Sequence, residues 1–175
     1  MAAENQPGSR FIPLPYVFLS VGLLIGLIAF VRIFVIQTVV ILDVSMQPTF
    51  HSGDRAACLK TFSRNRLKRG VVLRVDDPRG GELNLAKRLI ALPGETFGIV
   101  NGQVVINGKQ IDEPYIAEPS RLDIQPFLVP DGYVIVLGDN RNRSDDSSIW
   151  GPLPVSKIRG KLTSVLWPPG HIKRL

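Results

Sequence analysis

The 175-residue chain has a single cysteine, Cys58, and only two histidines, His51 and His171. One cysteine excludes an internal disulfide and a cysteine-built zinc site. Two histidines so far apart in the sequence read as too few and too isolated for a histidine metal site, so no metal and no other cofactor is expected. Acidic residues are the scarcer charge, 15 against 21 Lys+Arg, for a net +6. Internal repeats and low-complexity tracts are absent, and helical periodicity is missing beyond the first forty or so residues. A hydrophobic fraction of 45% excludes a disordered chain, which needs low hydrophobicity at high charge. The length leaves room for one domain with an appendage. Any catalysis has to rest on Ser, Lys, Asp, Arg or Tyr.

The apolar residues that are present cluster. Leu14 to Val31 runs 18 residues without a charge. At 1.5 Å per residue it reaches about 27 Å, close to the hydrocarbon core of a bilayer. Arg32 interrupts it, and Ile33–Leu42 continues apolar apart from Gln37 and Thr38. The run is too long for the core of a cleaved signal peptide, and no small-x-small cleavage site follows it. A retained single-pass anchor is the reading. It divides the chain into a polar tail at 1–13, a transmembrane anchor at 14–36 and a β-rich domain at 37–175.

Charge is distributed unevenly. Residues 1–31 carry only Glu4 and Arg10, so the remainder holds the whole surplus. Between Arg55 and Arg69 stand Arg55, Lys60, Arg64, Arg66, Lys68 and Arg69 without an acid. Beside an anchor, such a stretch suits contact with anionic lipid headgroups, or it is a solvated loop. No nucleic-acid motif accompanies it, so nucleic acid is not an expected partner. Counted by the positive-inside rule, the basic surplus would put the main domain on the cytoplasmic side.

After Leu42 the pattern becomes short strands and turns. Arg55–Thr61, Val71–Val75, Leu85–Ala91, Phe97–Val100, Gln103–Ile106, Tyr133–Leu137 and Lys161–Trp167 are predicted strands. Asn101-Gly102 and Asn107-Gly108 are two-residue hairpin turns. The fold class is therefore mainly β: one transmembrane helix followed by a β-rich domain.

Three polar features stand out. Ser45-Met46-Gln47-Pro48-Thr49 follows the anchor directly, and Ser45 is either a turn hydroxyl or a nucleophile near the membrane surface. Lys87 shares a strand face with Leu85 and Leu89, while Arg88 points the other way. It is either an edge-strand gatekeeper or a buried amine with a depressed pKa. Gly138 to Ser147 is too polar to be core, and it lacks the spacing and final glutamate of an EF-hand.

In this order and spacing the three segments resemble the type I signal peptidases, membrane-bound serine proteases that remove signal peptides. Ser45-Met46-Gln47-Pro48-Thr49 is similar to the family's nucleophile box. Lys87 through Glu95 resembles the general-base box, and Gly138-Asp139-Asn140-Arg141 through Trp150-Gly151 the last box. Ile106 to Lys109 and Glu113 to Ile116 match segments between them. The resemblance implies Ser45 as nucleophile, with its backbone N–H as oxyanion donor, and Lys87 as base. It implies Ser144 orienting Lys87, Asp139 paired with Arg88, and Asp146 holding the site. It implies apolar pockets from Val39, Ile41, Met46, Phe50 and Ala86 for the small residues of an Ala-x-Ala-like cleavage site. The implied partners are preprotein signal peptides and membrane lipid. The implied location is the cell membrane, or a thylakoid membrane, with the catalytic domain on the extracytoplasmic side, against the charge count.

The sequence departs from the family at three places. Asp43 stands where many relatives have a Ser or Gly, and a carboxylate aimed at an oxyanion hole would oppose catalysis. It is expected to turn away from the site, toward a basic residue. Ser148 stands where an Arg usually pairs with the acid at Asp146, and Val71 where an Asp is common. The rival readings are a relative dedicated to one substrate and an inactive, tethered β module that binds extended peptides. A Ser-His-Asp hydrolase using His51 or His171 is a further rival.

Overall fold

The computed structural model describes residues 13–61, 67–80 and 84–175. The tail at 1–12 and two members of the basic stretch, Arg64 and Arg66, lie outside the described residues. The chain divides into two compact units between Val35 and Ile36.

The first unit is helical. Helix α1, Leu14–Phe30, starts after Pro13, and Pro15 sits in its first turn, where the missing N–H costs nothing. It runs on through a π-helical turn, Val31–Val35, which carries Arg32. No residue of α1 is buried. The 22 residues of Leu14–Val35 are long and apolar enough to cross a membrane, at roughly 33 Å of helix. A helix apolar on all sides with no core to cover suits lipid rather than a protein interior.

The second unit is built on two antiparallel sheets. The strands of the larger are β1 (Ile36–Val40), β2 (Arg55–Leu59), β3 (Val72–Asp76), β4 (Asn84–Ala91), β9 (Tyr133–Leu137), β10 (Leu153–Pro154), β11 (Ile158–Trp167) and β12 (Lys173–Arg174). Their order is β1-β2-β11-β3-β4-β9-β10, and β12 adds to β11. The smaller sheet has the order β7-β6-β5-β8, from β5 (Thr96–Val100), β6 (Gln103–Ile106), β7 (Lys109–Gln110) and β8 (Ile124–Leu128). The one further α-helix among the described residues, α2, is a single turn at Ser147–Trp150.

All seven predicted strands are present. Asn101-Gly102 and Asn107-Gly108 both turn with positive φ, as two-residue hairpins require. Five strands escape the sequence pattern. Strand β1 is read as the end of the apolar run. Strand β8 contains Pro126, which a sheet edge tolerates. Strands β7, β10 and β12 are two residues each, too short for any period to register.

Three apolar clusters fill the unit. Ile90, Phe97, Ile99, Val104, Ile135 and Leu137 join the two sheets. Leu73, Val75, Leu89, Val136 and Ile158 pack on the larger sheet. Met46, Phe50, Ala56, Cys58, Val72 and Leu162 form the third cluster, beneath the segment that follows β1. Register shifts in β4 and β11 mark bulges, which increase local twist and bend the sheet.

Close packing between β11 and β2 depends on Gly160, where a Cβ would run into Cys58 Sγ and stand 3.0 Å from the Leu59 carbonyl oxygen. Gly160→Ala is expected to cost about 1–3 kcal/mol of stability, as overpacking does. Gly170, with open space around it, should tolerate alanine within about 0.5 kcal/mol. Thermal or urea unfolding of the solubilised variants measures both.

Candidate active site

The loop between β1 and β2 carries Ser45. Its ends are tied by Ile41 N–H to the Asp54 carbonyl at 2.9 Å and by Gly53 N–H to the Ile41 carbonyl at 2.8 Å. Met46 and Phe50, both 0% exposed, pin the turn into the third cluster. Ser45 is held at the head of that turn. Its carbonyl accepts the Asn140 amide at 2.9 Å, which draws in the segment after β9. Gly138 permits this approach, because a Cβ there would run into Ser144 Oγ and the Ser45 carbonyl. Among the described residues the Ser45 amide has no hydrogen-bond partner.

Strand β4 brings Lys87 to the same point. Its Nζ donates to Ser45 Oγ at 2.7 Å and to Ser144 Oγ at 3.2 Å. Lys87 is 1% exposed and Ser45 4%. Burial pushes the Lys87 amine below its ordinary value, because the charged form loses its hydration, while the carboxylates of Asp43, Asp146, Asp145 and Asp139 pull it back up. The gatekeeper reading fails, since β4 lies between β3 and β9 in the sheet interior. Nor does alternation sort this strand into wet and dry faces: every residue from Ala86 to Ala91 is buried, Arg88 included.

Asp43 does not turn away. Its Oδ2 accepts the Ser45 hydroxyl at 3.0 Å and lies 4.0 Å from Lys87 Nζ. The expectation of a basic partner elsewhere is overturned by proximity. Two residues before Ser45, on a segment leaving the edge strand, Asp43 has the hydroxyl as its nearest donor.

Around this core is a second set of charges. Arg88 Nε and Nη2 meet the two Asp139 oxygens at 2.7 and 2.6 Å. Thr49 Oγ1 donates to Asp139 at 2.5 Å and accepts from Arg88 at 3.1 Å. The Arg88 guanidinium also lies 4.0 Å from the centre of the Tyr115 ring, within cation–π range. Arg141 is paired in a fork with Glu113 at 2.8 and 2.5 Å, and both side chains are buried. Asp146 needs no arginine at the position of Ser148. Its oxygens accept the Gly138 amide at 2.8 Å and the Ser148 amide at 3.0 Å, capping α2. The sequence shows no role for Thr49, although it lies inside the segment Ser45–Thr49. Its hydroxyl takes part only once the fold brings Asp139 beside it.

A groove of about 340 Å³ lies between β1 and the start of β4, lined by Val39, Ile41, Asp43, Arg74, Leu85 and Ala86 among others. The structure places Met46 and Phe50 behind it, fully buried against Ile41 and Ala86. Strand β1 is the sheet's edge, and β9 pairs with β4 only from Arg88 onward. Backbone on both sides of the groove is therefore open to an added strand.

The histidines are not isolated as the sequence suggested. The folded loops set their rings 4.8 Å apart, beside Asp54. Neither is a partner of Ser45, whose hydroxyl contacts Asp43 and Lys87. That geometry removes the Ser-His-Asp reading.

A serine hydroxyl in contact with a buried amine, close to a groove with open strand edges, has the parts of a serine hydrolase. A family model described as "Signal peptidase, peptidase S26" matches residues 15–167. The chain is 37% identical over 170 residues to "Probable signal peptidase I-1" of Synechocystis sp., covering 90% of this chain and 85% of that protein. It is 35% identical over 182 residues to "Signal peptidase I" of Leptolyngbya laminosa, covering 99% of this chain and 89% of that one. The crystal structure of a signal peptidase I from Enterococcus faecalis V583 superposes with a TM-score of 0.51 at 36% identity, over 56% of this chain and 97% of that one. The chain belongs to the signal peptidase family, peptidase S26, and is a serine endopeptidase.

Asp139→Ala would strand the Arg88 guanidinium in the interior. Breaking a buried pair in this way typically costs about 3–5 kcal/mol. The expected result is a large fall in unfolding midpoint, together with lost activity.

Proposed function

We propose that the protein removes signal peptides from exported preproteins, with Ser45 as nucleophile and Lys87 as its base. The observation that carries this reading is the 2.7 Å contact between Lys87 Nζ and Ser45 Oγ at a buried position. At pH 7.5 an ordinary lysine is neutral in roughly one molecule in a thousand. The low dielectric around Lys87 raises that fraction, so the amine is available as a base near neutrality.

The proposed reaction runs in two halves. Neutral Lys87 takes the Ser45 hydroxyl proton as Oγ attacks the scissile carbonyl carbon. The carbonyl oxygen gains the negative charge, facing the Ser45 amide. The ammonium of Lys87 then gives its proton to the leaving amine, the C–N bond breaks and an acyl-enzyme remains. Water, deprotonated by the same amine, releases the signal peptide and restores Ser45. Ser144 acts as a positioning residue that fixes the direction of the Lys87 amine. The Arg88–Asp139 pair and Asp146 hold the two segments that meet at Ser45.

The signal peptide enters the groove as an extended strand between β1 and the open part of β4. Val39, Ile41 and Ala86 bound shallow apolar sites backed by Met46 and Phe50, which suits small side chains before the cut. The helix Leu14–Val35 anchors the enzyme in the membrane. The catalytic domain lies on the extracytoplasmic side, where signal peptides emerge. Membrane lipid contacts the apolar anchor.

Three measurements test this reading. Ser45→Ala and Lys87→Ala should each abolish cleavage of a model preprotein by the solubilised enzyme while leaving the fold intact. A Lys87→Ala protein with wild-type rate would overturn the assignment. For topology, Lys109→Cys supplies an exposed thiol, since native Cys58 is buried. A membrane-impermeant maleimide should label it in intact cells, and labelling only after lysis would reverse the orientation.

Asp43 provides the third. As a carboxylate it raises the Lys87 pKa and adds negative charge beside the developing oxyanion. Asp43→Ser removes both effects. The acidic limb of the pH–rate profile should move to lower pH, because Lys87 then loses its proton more readily. The turnover number should rise on the order of tenfold, less than the 10²–10³ typical of a full oxyanion donor, with little change in KM. Equal or lower turnover in a folded Asp43→Ser protein would mean that the carboxylate already assists the reaction.

A further inference from the structure

The only two histidines in the chain meet at one place, together with a buried carboxylate. His51 and Asp54 belong to the turn that leads into β2. His171 ends the 3-10 turn Pro169–His171, after β11. The return strand β12 holds that turn against β11 through the pairs Ser164–Arg174 and Val165–Lys173.

Asp54 is 1% exposed and oriented by two contacts. Its Oδ2 accepts the His51 amide at 2.9 Å, and its Oδ1 lies 2.8 Å from His171 Nδ1. Both imidazoles are exposed at the surface. The three side chains offer one ligand atom each, all within 4.8 Å of one another. Bonds of about 2.0–2.2 Å around a tetrahedral ion place ligand atoms roughly 3.4 Å apart. Rotating two exposed rings by an ångström or so closes the difference, while the buried carboxylate stays fixed.

We propose that His51, Asp54 and His171 bind one late first-row divalent cation, with Zn²⁺ as its natural occupant. Two imidazoles and one carboxylate are borderline-soft donors that suit Zn²⁺, Co²⁺, Ni²⁺ or Cu²⁺. Ca²⁺ and Mg²⁺ need six or more oxygen ligands and find one carboxylate here. The solvent side of the cluster leaves the remaining coordination position to water. The sequence alone points away from a metal because 119 residues lie between His51 and His171, and only the paired hairpin β11–β12 brings His171 back. A bound ion would tie that hairpin to the loop that carries Ser45. It is distinct from the hydrolytic site, since neither imidazole is a partner of Ser45 or Lys87.

The test reads binding and not cleavage, so its outcome is independent of the proposed reaction. Tag-free full-length protein in detergent is stripped with chelator, titrated with micromolar Zn²⁺ and passed through a desalting column. The wild type should retain one equivalent and unfold at a higher temperature than the stripped protein, because an ion bound only by the folded state stabilises it. Ca²⁺ and Mg²⁺ should give no shift. His51→Asn and His171→Asn should each lose the retained zinc and the thermal shift, while keeping the midpoint of a folded protein without metal. These exposed positions avoid the folding defect that a change at Asp54 would bring. A wild type that retains no zinc overturns the proposal, as do His variants that retain it as the wild type does.

Discussion

Everything near the groove depends on keeping the Lys87 amine out of water. A charged ammonium is costly to bury unless it is paired, and the amine responds with a lowered pKa. The fold commits the centre of the larger sheet to this. Strand β4 lies between β3 and β9, and its buried run from Ala86 to Ala91 surrounds the lysine with backbone and apolar side chains. The cost is offset by what the position allows, a nitrogen 2.7 Å from a serine oxygen with no histidine between them.

Four carboxylates surround that amine and work against its neutrality, and the structure deals with three of them. Asp139 is occupied by Arg88 and Thr49. Asp145 accepts from Arg79 at 2.6 Å. Asp146 is turned to the Gly138 and Ser148 amides. Only Asp43 directs an oxygen at Ser45 itself, and its other oxygen is buried without a hydrogen-bond partner among the described residues. Asp43 is thus the one of the four that no arginine or pair of amides has claimed. Asp43 accepts the Ser45 hydroxyl and at the same time draws the Lys87 pKa back up.

Much of this was legible in the sequence, for physical reasons that differ between residues. The anchor and the Asn-Gly hairpins are local signals, a long uncharged run and a turn that needs positive φ. Ser45, Lys87, Asp139 and Ser144 sit in segments whose order carries the family resemblance. What was hidden depends on long-range closure. Asp43 was expected to find a basic partner because nothing in a linear sequence shows how near its own serine lies. Alternation puts Lys87 and Arg88 on opposite faces of β4 but does not show that both are buried, which follows from the strand's place inside the sheet. Met46 and Phe50 read as pocket walls and prove to be its backing, because the turn they occupy packs inward. The approach of His171 to His51 is set by a hairpin of β11 with a two-residue strand, which no periodicity announces.

The central claim is that burial lowers the Lys87 pKa and so lets the amine serve as a base, and a direct titration of that side chain tests it. Lysine labelled with ¹³C at Cε reports protonation through its chemical shift, and Lys87→Met identifies the resonance in spectra of the solubilised protein with Ser45→Ala as the inert background. The account predicts that this one lysine titrates well below the ordinary value of about 10.4, apart from the surface lysines. A Lys87 resonance that titrates with the surface lysines would contradict it.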